Sequence, residues 1–232
     1  MRCLALLLAL ASPALAQDTD LELVLLADAS GSIDATEIRL QRQGYAEALT
    51  DPAVLSAIEN TAYGSIAVTY IEWAANQAVV VDWTVIATAE DAEAFAAELM
   101  IPPRLASGRN AIGAALLAGL AAIETNDISG WRRVIDFSGD SASNYSGSSI
   151  AEARETVLNA GVTINGLPIL TERPWLLEVY EREIIGGPNS FAIAADSRAT
   201  FVEALRRKLI LEISGLTPRD ETVIAEAPAG TR

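Results

Sequence analysis

Asp28, Ser30 and Ser32 put one carboxylate and two hydroxyls within five residues, in the run Asp-Ala-Ser-Gly-Ser. Such a set offers oxygen donors only, which suit a hard divalent cation, magnesium before manganese or calcium. Gly31, between the serines, is expected to let the backbone curl so that all three oxygens face one centre. A later loop repeats the chemistry: Ser138-Gly139-Asp140-Ser141-Ala142-Ser143-Asn144 again sets an Asp beside a Gly and several hydroxyls. Between the two lies a polar run, Ser107-Gly108-Arg109-Asn110, ahead of an apolar helical pattern. A loop at a helix N-terminus can turn polar groups toward an anion or a metal. Taken by itself, Asn110 reads as the N-cap of that helix.

The inventory removes other chemistries. The 232 residues contain no His and one Cys, Cys3, which falls in the leader described below. A Ser-His-Asp or Cys-His unit, a His-ligated zinc and a thiolate metal site therefore cannot be built. A phosphatase that begins with an Asp after its first strand needs a second Asp two residues later as acid and base, and here that residue is Ser30. Gly139-Asp140-Ser141 is similar to the motif of GDS-type esterases, whose Ser requires a His base that this chain lacks. The reading is non-enzymatic. A formal charge of −15 repels phosphate backbones and anionic lipid surfaces, so neither nucleic acid nor a membrane surface is an expected partner.

The elements that must position these loops follow from periodicity. Residues 21–27 read as a buried strand of a parallel sheet, five apolar residues long at its centre (23–27), delivering Asp28 at its carboxyl end, where open α/β sheets bind ligands. Asp34 and Glu37 have the spacing of a capping box, which assigns Asp34 to a helix start rather than to a metal. That helix is expected to end before Asp51-Pro52. Strands at 65–73 and 79–85, joined by a short polar turn, predict a hairpin, with Trp73 and Trp83 packing across it. A helix over 90–100 and one starting near Asn110 precede a strand at 133–137. Further units are a helix at 149–159, a strand at 162–169, a short helix at 178–184, a last strand at 190–194 and a closing helix at 198–214.

The N-terminal stretch combines one Arg, an apolar run at 4–11, Pro13 and small residues at Ala14 and Ala16, the pattern of a secretory signal peptide cleaved after Ala16. The expected organisation is a signal peptide at 1–16, one α/β domain at 17–215 and a flexible tail at 216–232. The expected location is periplasmic or secreted, with no membrane insertion.

Strand, DASGS loop, helix, hairpin, polar loop opening a helix, then a strand ending in Gly-Asp: over residues 21–214 this order resembles the von Willebrand factor A domain. VIDFSGDS, VTINGLPI and IIGGPNSF are similar, more closely, to a bacterial family of exported von Willebrand factor A-like proteins catalogued as a domain of unknown function. The resemblance implies a Rossmann-like α/β fold, with a mostly parallel central sheet, one antiparallel edge strand and helices on both faces. It also implies a metal-ion-dependent adhesion site built from an Asp-x-Ser-x-Ser loop, a Thr in a second loop and an Asp in a third. Carried over, the metal ligands are Asp28, Ser30, Ser32, Asn110 and Asp140. Asn110 stands where the family's Thr-x-x-Gly run has Thr, in Asn110-Ala111-Ile112-Gly113, which is the main departure. Asp136 competes for the third position, and Asp140 is preferred because Asp136 falls within the strand. The ion implied is Mg2+, or Mn2+ or Ca2+, and the partner a protein able to supply a carboxylate to the ion.

Overall fold

The computed structural model describes residues 17–171, 173–197 and 200–220; the expected signal peptide and most of the expected tail lie outside them. The apolar run at 23–27 forms the middle of β1 (Gln17–Asp28), which is the central strand of five. Next come α1 (Ala35–Leu49), α2 (Pro52–Glu59), β2 (Ile66–Trp73), β3 (Gln77–Ile86), α3 (Ala89–Leu99) and α4 (Ile112–Glu124). β4 (Ile128–Gly139), α5 (Ile150–Asn159), β5 (Thr163–Pro168), α6 (Leu176–Val179), a π-turn (Tyr180–Ile184) and α7 (Phe201–Ser214) complete the order.

The sheet runs β3-β2-β1-β4-β5, all parallel except the edge strand β3, which returns antiparallel on β2. Side chains alternate across a strand, so β1 feeds two cores. Leu21, Leu23 and Leu25 pack with Tyr45 of α1, Val54 of α2, Phe95 of α3 and Leu205 of α7. Val24 and Leu26 pack on the other face with Leu116 of α4, Val157 of α5 and Tyr180. Both faces being covered is what makes β1 apolar throughout its middle rather than alternating.

Three expectations change and one helix is added. α1 ends before Asp51-Pro52 as expected, but the same pair then starts α2, which the sequence reading lacked: Asp51 is the N-cap, accepting from the Ala53 N–H at 2.8 Å, and Pro52 sits where its missing N–H costs nothing. The strand expected at 190–194 forms only isolated parallel bridges, Ala192 with Gly166 and Ala195 with Ile169. The missing rung has a cause: the Pro168 carbonyl of β5 accepts from the Ala195 N–H at 3.0 Å, but Pro168 has no N–H to give back, so the ladder breaks between the two bridges. Trp73 and Trp83 do not pair across the hairpin. Trp73 is in register with Gln77 and stacks on Phe137 of β4 at 4.8 Å, while the Trp83 indole donates to the Ala122 carbonyl at 3.1 Å. Helical structure also extends into the expected tail at 218–220, with the Thr217 N–H and hydroxyl both donating to Asp220 Oδ2 at 2.7 Å. Among the described residues no helix is long and apolar enough to cross a membrane.

Candidate metal centre

β1 delivers Asp28 level with Trp73 of β2 on one side, and Ala27 level with Ser138 of β4 on the other. Past Asp28 the chain turns over the sheet rim. The Ser30 N–H donates to Asp28 Oδ1 at 2.7 Å, the Gly31 N–H to the Gly108 carbonyl at 2.8 Å and the Ile33 N–H to the Ser30 carbonyl at 2.9 Å. The chain does curl at Gly31, but without a positive φ, and a Cβ there would meet only Gly108 O at 3.5 Å. The loop is shaped instead by two side chains that sequence reasoning did not single out. The Arg104 guanidinium donates to the carbonyls of Ala29, Ser30 and Ile33, the last two at 2.9 Å. Gln41 Nε2 donates to the Asp28 carbonyl at 3.0 Å. The signal was thin, since nothing in the local sequence marks an Arg more than seventy residues downstream as this loop's support.

The third loop meets the first. The Ser30 and Ser32 hydroxyls lie 3.2 Å apart, Ser32 Oγ donates to Asp140 Oδ1 at 3.1 Å, and the Asp140 N–H points to Asp28 Oδ2 at 3.4 Å. Gly139 makes this approach possible. A Cβ there would stand 2.9 Å from Asp28 Oδ2 and 2.9 Å from the Trp73 ring. Tyr180, placed by the π-turn, donates to the Gly139 carbonyl at 3.1 Å, and the Trp73 indole donates to the Ser138 carbonyl at 3.1 Å. Four of the five expected ligands, Asp28, Ser30, Ser32 and Asp140, therefore form one connected cluster.

Asp136 is turned away from it, fully buried and 2.6 Å from Lys208 Nζ. Asn110 sits beside the cluster rather than within its hydrogen bonds. It lies two residues past Gly108, whose carbonyl binds Gly31, it is buried, and its Nδ2 has no hydrogen-bond partner. It is not the helix N-cap either. α4 begins at Ile112 after Ala111, and the Gly113 N–H is taken by Asn144 Oδ1 at 3.2 Å. Gly113 is itself required, because a Cβ there would lie 2.1 Å from the Ser148 carbonyl oxygen.

The electrostatics test whether these groups suit a cation. Burial pushes the Asp28 carboxyl up to about 7; the bonds from Ser30 pull it down, and Asp140 adds to the rise. Arg173 stands 3.8 Å from Asp140 Oδ2 and donates to the Asp140 carbonyl at 2.5 Å. Among the described residues, no three His, Cys, Asp or Glu side chains come together. The donor set is two hydroxyls and two carboxylates, with an amide nearby, one of the carboxylates buried without a cation of the chain's own. A hard divalent ion fits that set, and a thiophilic or imidazole-seeking metal does not.

Solved structures share this architecture at low identity. One is "von Willebrand factor type A" from Catenulispora acidiphila: TM-score 0.60, 15% identity, 84% of this chain and 43% of that one. A second is the vWF domain of the type V pili tip protein Mfa5 from Porphyromonas gingivalis: TM-score 0.57, 9% identity, 92% of this chain and 98% of that domain. A third is the proximal thread matrix protein 1 of the mussel byssus, described with a zinc-occupied MIDAS motif: TM-score 0.58, 14% identity, 86% of this chain and 47% of that one. The chain thus spans less than half the length of the Catenulispora and mussel chains. Among curated proteins no sequence match is found. Residues 18–217 match the family described as "Protein of unknown function (DUF1194)", and the chain belongs to that family, built on a von Willebrand factor A-like domain.

Proposed function

We propose that the protein is an exported, non-enzymatic binding module that engages a protein partner through a divalent cation held at a metal-ion-dependent adhesion site. The observation that carries this reading is the unbroken chain of oxygens from Ser30 to Ser32 to Asp140, at 3.2 and 3.1 Å, above the buried carboxylate of Asp28. Ser30, Ser32 and Asp140 would hold the ion, with Asp28 beneath them and Asn110 at the side. A bound Mg2+ or Mn2+ would supply a Lewis-acidic centre able to take a carboxylate from a partner. Arg104 and Gln41 fix the backbone of the first loop, and Tyr180 fixes that of the third, so the oxygens are held before any ion arrives.

Two considerations support a binding role over bond-breaking. The inventory lacks His, and the fold neighbours include a pilus tip domain and a byssal matrix protein. Periplasmic or secreted placement is part of the same reading and rests on the leader-like residues 1–16. The test is thermal melting of the mature protein with Mg2+, Mn2+ or chelator, beside D28A. An ion at about a hundred times its Kd should stabilise the wild type by roughly 2.7 kcal/mol and leave D28A unmoved. An unmoved wild type would sink the reading in favour of a metal-free scaffold. A phosphatase or esterase activity lost in S141A or D28N would restore the hydrolase alternative.

A further inference from the structure

A groove of 360 Å³ opens at Ser32 and Asp140 and runs between α1 and the start of α7. Its apolar walls are Ile33, Leu40, Ile169 and Phe201, and Arg173 stands at the Asp140 end. Gln41 also lines it. That side chain is 5% exposed and gives its Nε2 to the Asp28 carbonyl, while its Oε1 has no hydrogen-bond partner. A buried acceptor without a donor is costly, and Oε1 is sealed from solvent, so an occupant's N–H would reach it only after the Gln41 side chain turned. The groove is thus amphipathic: ion-site oxygens and a guanidinium beside aliphatic and aromatic surface.

We propose that this groove receives the aliphatic side chain next to the partner's metal-seeking carboxylate, so that the partner is a protein segment in which an acidic and an aliphatic residue are neighbours. The inference rests on the ion-dependent reading above and narrows it. A carboxylate at the ion site stands at the groove's mouth, because Ser32 and Asp140 belong to both. A wholly acidic segment is disfavoured, because Glu37 and Glu47 also line the groove. The volume lies at the small end of ligand sites, which suits one or two side chains and not a helix.

The experiment uses three blocked dipeptides, Ac-Asp-Leu-NH2, Ac-Leu-Asp-NH2 and Ac-Asp-Gly-NH2, titrated into the diamagnetic Mg2+-loaded protein and followed by amide shifts. Mn2+ binding is first established by water proton relaxation. One of the two leucine peptides should bind roughly tenfold tighter than the glycine peptide, the gain expected from removing a few CH2 groups from water. That gain should vanish in L40E, whose residue is 42% exposed on α1 and whose Mn2+ titration verifies that the ion site is intact. Equal affinities for all three peptides, or a leucine gain that survives L40E, overturn the groove while leaving ion-dependent binding standing. Failure to bind Mn2+ overturns both.

Discussion

Asp28 and Asp136 are buried carboxylates on neighbouring strands of one sheet, and the chain treats them in opposite ways. Asp136 has an internal cation. Lys208 of α7 reaches it at 2.6 Å and also contacts Glu212, whose Oε1 accepts from Asn165 Nδ2 at 2.9 Å. Asp28 has hydrogen bonds from Ser30 and Asp140 but no cationic side chain. A charge taken out of water needs a partner, and at Asp136 the chain supplies one. At Asp28, whose carboxyl burial raises to about 7, the proposed ion would be that partner, and this separates a structural carboxylate from a candidate site. Asp140, only four residues beyond Asp136, stands between the two: Arg173 lies 3.8 Å from its Oδ2, but its Oδ1 accepts from Ser32 in the Asp28 cluster.

The comparison breaks most visibly at Lys208. Replacing it by Met leaves Asp136 and Glu212 facing each other, fully or nearly buried, without the ammonium between them, and removing one partner of a buried ion group costs about 3–5 kcal/mol. Denaturant unfolding of K208M should show a loss of that size. A loss below about 1 kcal/mol, within the range of ordinary surface changes, would mean that the cluster is not what holds α7 to β4.

The same cluster sets a pH dependence. Burial raises the Glu212 carboxyl from 4.5 to about 7, with Lys208 opposing and Asp136 adding to the rise; the Asp136 carboxyl is raised as well. Between those values the folded state holds more protons than the unfolded state, so stability falls as pH rises through the window, by at most about 1.4 kcal/mol per pH unit for one group. Tyr45 and Arg132 also face the cluster, and neither ordinarily titrates in that range. The decline should be shallower in E212Q than in the wild type. Parallel stability–pH curves for the two proteins would refute the assignment.

At the ion site itself the expected loss is smaller. R104A removes the donors to three loop carbonyls, Ala29, Ser30 and Ile33, and should cost about 1–2 kcal/mol while weakening Mn2+ binding, whereas R104K should recover only part of either, since an ammonium cannot reproduce the fork. Undiminished Mn2+ affinity in R104A would show that the loop shapes itself.

How much of this was legible depended on whether the cause was local. The capping box at Asp34 and Glu37, the apolar run of β1 and the hairpin all follow from neighbouring residues, and the structure has each of them. So does the grouping of Asp28, Ser30 and Ser32, because Asp-x-Ser-x-Ser after a buried strand has few ways to point. α1 ends before Asp51-Pro52 as expected, but α2 was missed although its signal was local, since the same pair that follows one helix caps the next. Arg104, Gln41, Tyr180 and Lys208 act across the fold, and no spacing announces an Arg that supports a loop more than seventy residues away. The broken last strand depended on Pro168 in a different strand, which periodicity within 190–194 cannot register.

The finest form of the comparison sets Asn144 against Asn110. Asn144 is paired at both ends, its Oδ1 accepting from the Gly113 N–H at 3.2 Å and its Nδ2 donating to the Ser148 carbonyl at 2.9 Å. Asn110 is buried with its Nδ2 unpaired. Applied here, the rule that separates Asp136 from Asp28 makes Asn144 structural and leaves Asn110 to the proposed site. N144A should therefore lose about 1 kcal/mol, the usual cost of removing a helix-terminal cap, whether chelator or Mn2+ is present. N110A should lose less than N144A in chelator, and its deficit should appear when Mn2+ is added, as a reduced stabilisation by the ion. Thermal melts of both variants in the two conditions decide it: equal losses that ignore the metal would return Asn110 to the scaffold and leave the ion with Ser30, Ser32 and the two carboxylates.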